Sequence, residues 1–117
     1  MFFLLKDYNM FGFLKKLFAG EPVVSAKTIA EFMKKEKAII LDVRTKKEFQ
    51  TGHIRKCKHI PVSSISNKIT QIKSWDKPVI VYCRSGQRAG LAAKILKANG
   101  IKVLNGGGYE TLKKIVR

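Results

Sequence analysis

Acid is scarce in this sequence. Eight Asp and Glu stand against 24 Lys and Arg, a formal charge of +16 over 117 residues, and 19 of the cations are lysines. A balance of this sign favours anionic small molecules, acidic proteins or anionic lipid as partners, unless it serves only as a solvated lysine coat. Nucleic acid is not expected, because no aromatic-interleaved basic patch, zinc-finger spacing or arginine-rich helix accompanies the charge. Cysteine is sparse too. Cys57 and Cys83 lie 26 positions apart, too far for a CxxC pair, and with only two histidines they make no zinc set. Neither a metal site nor a cofactor is expected. Long apolar runs are also missing. The start Met1-Phe-Phe-Leu-Leu is too brief to span a bilayer, and it lacks the basic n-region and small-residue cleavage site of a secretory signal. A free thiol at Cys83 explains the sequence better than a disulfide, which points to a reducing, cytoplasmic compartment.

What is present is concentrated in Pro78-Val-Ile-Val-Tyr-Cys83-Arg-Ser-Gly-Gln-Arg88-Ala-Gly. A short apolar run ends on a cysteine, a loop with glycine and two arginines follows, and an Ala/Leu-rich segment to Asn99-Gly100 reads as a helix. Strand, tight loop and helix N-terminus together make an anion site, because unpaired N–H groups and the helix dipole converge on the loop. Such surroundings favour a sulfur anion, which is the nucleophilic form of cysteine. From Lys77 through Tyr109 there is no acid at all, so the local field acts in the same direction.

The first twenty residues differ from the rest. In Met10-Phe-Gly-Phe-Leu-Lys-Lys-Leu-Phe18 the apolar residues share one helical face, with Lys15 and Lys16 opposite. Residues 1–20 are therefore read as an amphipathic extension. Residues 10–18 either contact a membrane surface peripherally or pack on protein. Met10 is an alternative start, which would leave residues 1–9 outside the native protein.

Residues 21–117 form the single domain, and they alternate strand with helix. Pro22-Val-Val reads as a short strand, and Ser25 caps a helix to about Lys35. Lys37 to Leu41 is a buried strand, and Thr45 caps a short helix to Thr51. Lys58 to Pro61 is extended, and Ser63 or Ser64 opens a helix with Ile65, Ile69 and Ile72 inward. Val79 to Tyr82 and Ile101 to Leu104 are strands, Asn105 to Gly108 a flexible turn, and Tyr109 to Val116 a closing helix. The pattern predicts an α/β fold, a central and mostly parallel five-stranded sheet with helices on both faces. Sites in such sheets lie at the C-terminal strand ends, where Cys83 falls.

The ordered set Leu41-Asp-Val-Arg44, Glu48-Phe49, Gly52-His53-Ile54, Ile60-Pro61, Val81-Tyr-Cys-Arg-Ser-Gly-Gln-Arg88 and Leu104-Asn-Gly-Gly-Gly108 resembles the rhodanese-like sulfurtransferases in their small single-domain form. The resemblance covers residues 22–116. It departs at Arg55-Lys-Cys-Lys-His59, where the family commonly has glycine, alanine and asparagine, and in the absence of a tryptophan after the glycines.

The resemblance implies a persulfide relay. Cys83 takes the outer sulfur of thiosulfate or a similar small anionic donor and passes it to a thiophilic acceptor, such as a protein thiol. Arg84 and Arg88 offer planar cationic forks for the donor. The amides of Arg84 through Ala89, those of Ser85, Gly86, Gln87 and Arg88 among them, curl around the sulfur. Asp42 and Arg44 are read as supporting residues at the neighbouring strand end. His53 and His59 are read as structural, and Cys57 as a small buried apolar residue.

Two other readings remain. One is a partner-docking sulfur-carrier module. The other is a cysteine-dependent phosphatase or arsenate reductase, although such phosphatases use Cys-x5-Arg and this chain has the tighter Cys-x4-Arg.

Overall fold

A computed structural model of the chain describes residues 20–117. The amphipathic segment 10–18 lies outside the described residues. From Gly20 the chain runs through α1 (Ala26–Glu36), β1 (Ile39–Asp42), α2 (Lys46–Gln50), β2 (Lys58–His59), a 3-10 turn (Val62–Lys68), α3 (Ile69–Ser74), β3 (Val79–Cys83), α4 (Gln87–Ala98), β4 (Val103–Gly108) and α5 (Tyr109–Val116). The described strands form one parallel sheet in the order β2-β1-β3-β4.

Alternation along β3 explains the layers. Val79, Val81 and Cys83 face α3, α4 and the 3-10 turn, and Ile80 and Tyr82 face α1 and α5. Strands buried on both faces must be apolar throughout, as Val79-Ile-Val-Tyr-Cys83 is. On the first face Ala89, Ala92 and Ala93 let α4 lie close to the sheet, with Leu96 fully buried. Truncating Leu96 to Ala would cost about 2–5 kcal/mol. On the second face Ile29 of α1 and Leu112 of α5 close over Ile40 and Ile80.

Local chemistry sets the helix starts. Ser25 accepts from the Thr28 amide, and Thr45 with Glu48 forms a reciprocal capping box.

Three expectations are corrected. The sheet has four strands rather than five. The Pro22-Val-Val segment contributes only an isolated bridge, Val23 to Asn105, because Pro22 has no N–H to extend the ladder. The segment after Pro61 winds as a 3-10 turn before α3, with no side-chain cap from Ser63 or Ser64, although Ile65 and Ile72 are buried as expected. Asn105 to Gly108 is not a flexible turn but the end of β4, paired through Cys83–Gly108 after a register shift opposite Val81 to Cys83. There glycine answers a packing demand, because a methyl group on Gly108 would run into the Arg84 carbonyl.

Candidate active site

Cys83 closes the central strand β3, and its side chain points toward the start of α4. It is 1% exposed. Its Sγ accepts from the Gly86 amide at 3.0 Å and the Ala89 amide at 3.4 Å. Three residues, Arg84, Ser85 and Gly86, turn the chain from strand to helix. Gly86 holds φ at 99°, a left-handed conformation that side chains disfavour. The sulfur therefore sits in a cradle of main-chain donors at the positive end of α4.

The cradle is fixed from behind by Asn105, 2% exposed. Its amide nitrogen donates to the Gly86 carbonyl at 3.0 Å and to the Glu21 carbonyl at 2.8 Å, and its oxygen accepts from the Gly107 amide at 2.9 Å. Every polar atom of that side chain is used, so the loop cannot shift without leaving a buried group unpaired. Sequence reasoning missed Asn105 because it precedes three glycines, and nothing local distinguishes a packed strand end from a turn.

The two loop arginines part company. Arg84 is exposed at the rim, and no hydrogen bond or ion pair holds its guanidinium among the described residues. Arg88 instead makes a bidentate pair with Glu48 of α2, at 2.6 and 3.0 Å. Hydrogen bonds from Arg88 hold the Glu48 carboxyl down at about 2, against an opposing effect of burial and with help from the Thr45 amide and hydroxyl. The same contact raises the already permanent charge of Arg88 further out of titration range. Arg88 thus ties the far end of the loop to α2. The Thr45 cap is legible in the sequence, but the Arg88–Glu48 pairing across 40 residues leaves no local trace. Ser85 and Gln87 are exposed on the outer side of the turn.

Asp42 and Arg44 meet each other rather than the sulfur. The Arg44 backbone amide donates to Asp42 Oδ1 at 2.8 Å, and its guanidinium grips both carboxylate oxygens at 2.7–3.0 Å. Burial alone would lower the Arg44 value, but the bonds to Asp42 outweigh it and raise it. Arg44 also donates to the Gly52 carbonyl at 2.6 Å and lies over the Tyr109 ring at 4.6 Å. The Tyr82 hydroxyl, a second group missed from sequence, donates to Asp42 Oδ2 at 2.6 Å and accepts from the Ile54 amide at 3.1 Å. Burial and the Asp42 contact push that phenol far upward. This network ties the ends of β1 and β3 to the stretch from Gly52 to Ile54.

The histidines have structural partners, Phe49 and Arg44 carbonyls respectively, and both rings stack on Phe49. Cys57 is half-buried with its sulfur 3.7 Å from the Tyr82 hydroxyl, and burial pushes its thiol up. Among the described residues no cluster of His, Cys, Asp and Glu could hold a metal ion, and no helix is long and apolar enough to cross a membrane.

Comparisons with known proteins identify the family to which this parallel sheet and its thiol-bearing loop belong. A family model described as Rhodanese-like domain matches residues 25–114. The chain belongs to the rhodanese-like domain family. The thiosulfate sulfurtransferase GlpE of Coxiella burnetii is 31% identical over 85 residues, covering 71% of this chain and 78% of GlpE. The uncharacterized protein YqhL of Bacillus subtilis is 42% identical over 64 residues, 55% of this chain, and the match spans only 50% of YqhL. Among solved structures, a rhodanese-related protein from Thermoplasma volcanium superposes with a TM-score of 0.65 at 28% identity, covering 79% of this chain and 90% of that one.

Proposed function

We propose that the chain moves a sulfane sulfur from thiosulfate, or a similar small anion, to a thiophilic acceptor through a persulfide on Cys83. The reading rests above all on the Cys83 sulfur accepting the Gly86 and Ala89 amides at the start of α4. In the first step the Cys83 thiolate attacks the outer sulfur of thiosulfate. A Cys83 S–S bond forms, the donor S–S bond breaks, and sulfite leaves with the electron pair. In the second step the acceptor attacks the outer persulfide sulfur, and the Cys83 thiolate is released. With cyanide the product is thiocyanate; with a thiolate it is the acceptor's own persulfide. Neither step transfers a proton at the reacting atoms, so no general base is needed.

The donors suit each charge in turn. Main-chain amides donate to anionic sulfur without reorganising. Arg84, free at the rim, is the side chain for the donor's sulfonate end, and a charge-assisted hydrogen bond there orients the outer sulfur inward. Arg88, engaged by Glu48, holds the loop rather than the donor. The span from Cys83 to Arg88 suits one sulfur atom better than a tetrahedral phosphate. The acceptor is a thiol, on a small molecule or a protein.

Intact mass after incubation with thiosulfate tests the reading directly. A gain of one sulfur atom on Cys83, removed by cyanide or a thiol, is expected. Unchanged mass together with hydrolysis of a phosphate ester would replace it with phosphatase chemistry. Slow turnover with cyanide beside fast transfer to one protein thiol would make the chain a sulfur carrier.

A further inference from the structure

Away from the Cys83 loop, a cavity of about 720 Å³ opens between α1, β1, the 53–58 loop and the end of α5. Its floor is apolar: Met33, Ile40, Ile54 and Val116 line it, with Ile40 and Ile54 buried. Its rim is cationic, carrying Arg55, Lys56, Lys58, Lys113 and Arg117, and no Asp or Glu lines it. These cations are not equally engaged. Lys58 lies over the Trp75 ring and Lys113 reaches Glu110. Arg55, Lys56 and Arg117 are exposed and have no hydrogen bond or ion pair among the described residues.

Lys56 adds an independent observation. Its φ is 64°, in the left-handed region where a long side chain is strained and glycine or asparagine is at ease. Lys56 therefore lines the cavity from a backbone conformation that is costly for a long side chain.

We propose that this cavity binds a small amphiphilic anion, a molecule with an apolar tail and a single anionic head such as a carboxylate. The volume is that of a small-molecule site. The floor takes the tail, and Arg55 and Lys56 take the head. A protein partner is less well matched, because a stable interface needs roughly 800 Å² of surface on each side rather than one recess. The proposal does not depend on the chemistry of Cys83.

The test uses the full chain and isothermal titration with dodecanoate below its micellar concentration, beside dodecanol and acetate as single-feature probes. One saturable site for dodecanoate is expected, with tenfold or weaker binding of either control and a loss of affinity with added salt. The Lys56→Asn variant, whose new side chain tolerates the left-handed backbone, should melt no lower than the parent and lose at least fivefold in affinity. Arg55→Ser should weaken binding similarly, and sulfur loading of Cys83 should be unchanged in both. Equal binding of dodecanol, undiminished binding in both variants, or several weak sites would overturn the proposal. So would a glutamate-rich peptide or anionic vesicles binding this face more tightly than dodecanoate does.

Discussion

Replacing Glu48 with Gln tests whether α2 holds the cysteine loop. The wild-type carboxylate receives two hydrogen bonds from Arg88, and they lower its titration from the ordinary 4.5 to about 2. A group depressed in the folded state contributes its full stability above the unfolded value and loses it as pH falls through the folded one. The window therefore runs from 4.5 down to about 2. At about 1.4 kcal/mol per unit, the whole shift corresponds to about 3 kcal/mol. The Arg88 and Glu48 side chains are 33% and 29% exposed, and solvent screening reduces the contribution to about 1–2 kcal/mol. In a domain of this size that is roughly 5–10 °C in Tm. Urea melts followed by circular dichroism, taken from neutral pH down to about pH 2, compare Glu48→Gln with the parent. The variant should be less stable near neutrality, and the gap should close through the window as the parent's carboxylate takes up its proton. A gap that stays constant through acid would refute the ion pair as its source.

Other substitutions address the remaining parts of the site. Cys83→Ser should leave the Tm nearly unchanged and abolish both the thiosulfate-dependent mass gain and thiocyanate formation. Arg84→Ala should raise KM for thiosulfate about tenfold or more, the worth of one charge-assisted hydrogen bond, and have less effect with an uncharged donor; equal effects would remove Arg84 from the donor site. Asn105→Ala strands the Gly86 and Glu21 carbonyls and the Gly107 amide, so urea melts should show a loss of about 2–4 kcal/mol, with sulfur loading slowed at temperatures where the variant stays folded. Tyr82→Phe removes the hydroxyl that joins Asp42 to Ile54, and a loss of about 1–3 kcal/mol is expected by the same assay.

The legible parts of the chain were those whose cause is local. Ser25 and Thr45 announce helix starts because a capping side chain acts within three residues. The apolar run Val79 to Tyr82 followed by Cys83 and a glycine loop marks a strand end before a helix, since few other conformations satisfy that order. Glycines misled where they served contact instead of turning: Gly108 is small because the Arg84 carbonyl lies beside it, and that neighbour is 24 positions away. The fates of Arg84 and Arg88 were inseparable from sequence, because both are cations on one loop. Only the folding of α2 against α4 brings Glu48 to one and leaves the other open.

The sheet's two outer rims bear on strand-to-strand pairing between copies. On one side β2 pairs for only two residues, and on the other the Val24 amide already donates to the Asn105 carbonyl of β4. Among the described residues the β2 margin is short, and the β4 margin is interrupted midway by the bridge from Val23 to Asn105, which breaks up the row a second chain would pair with. That interruption and the mutual repulsion of a +16 charge both act against pairing of a second copy along the sheet.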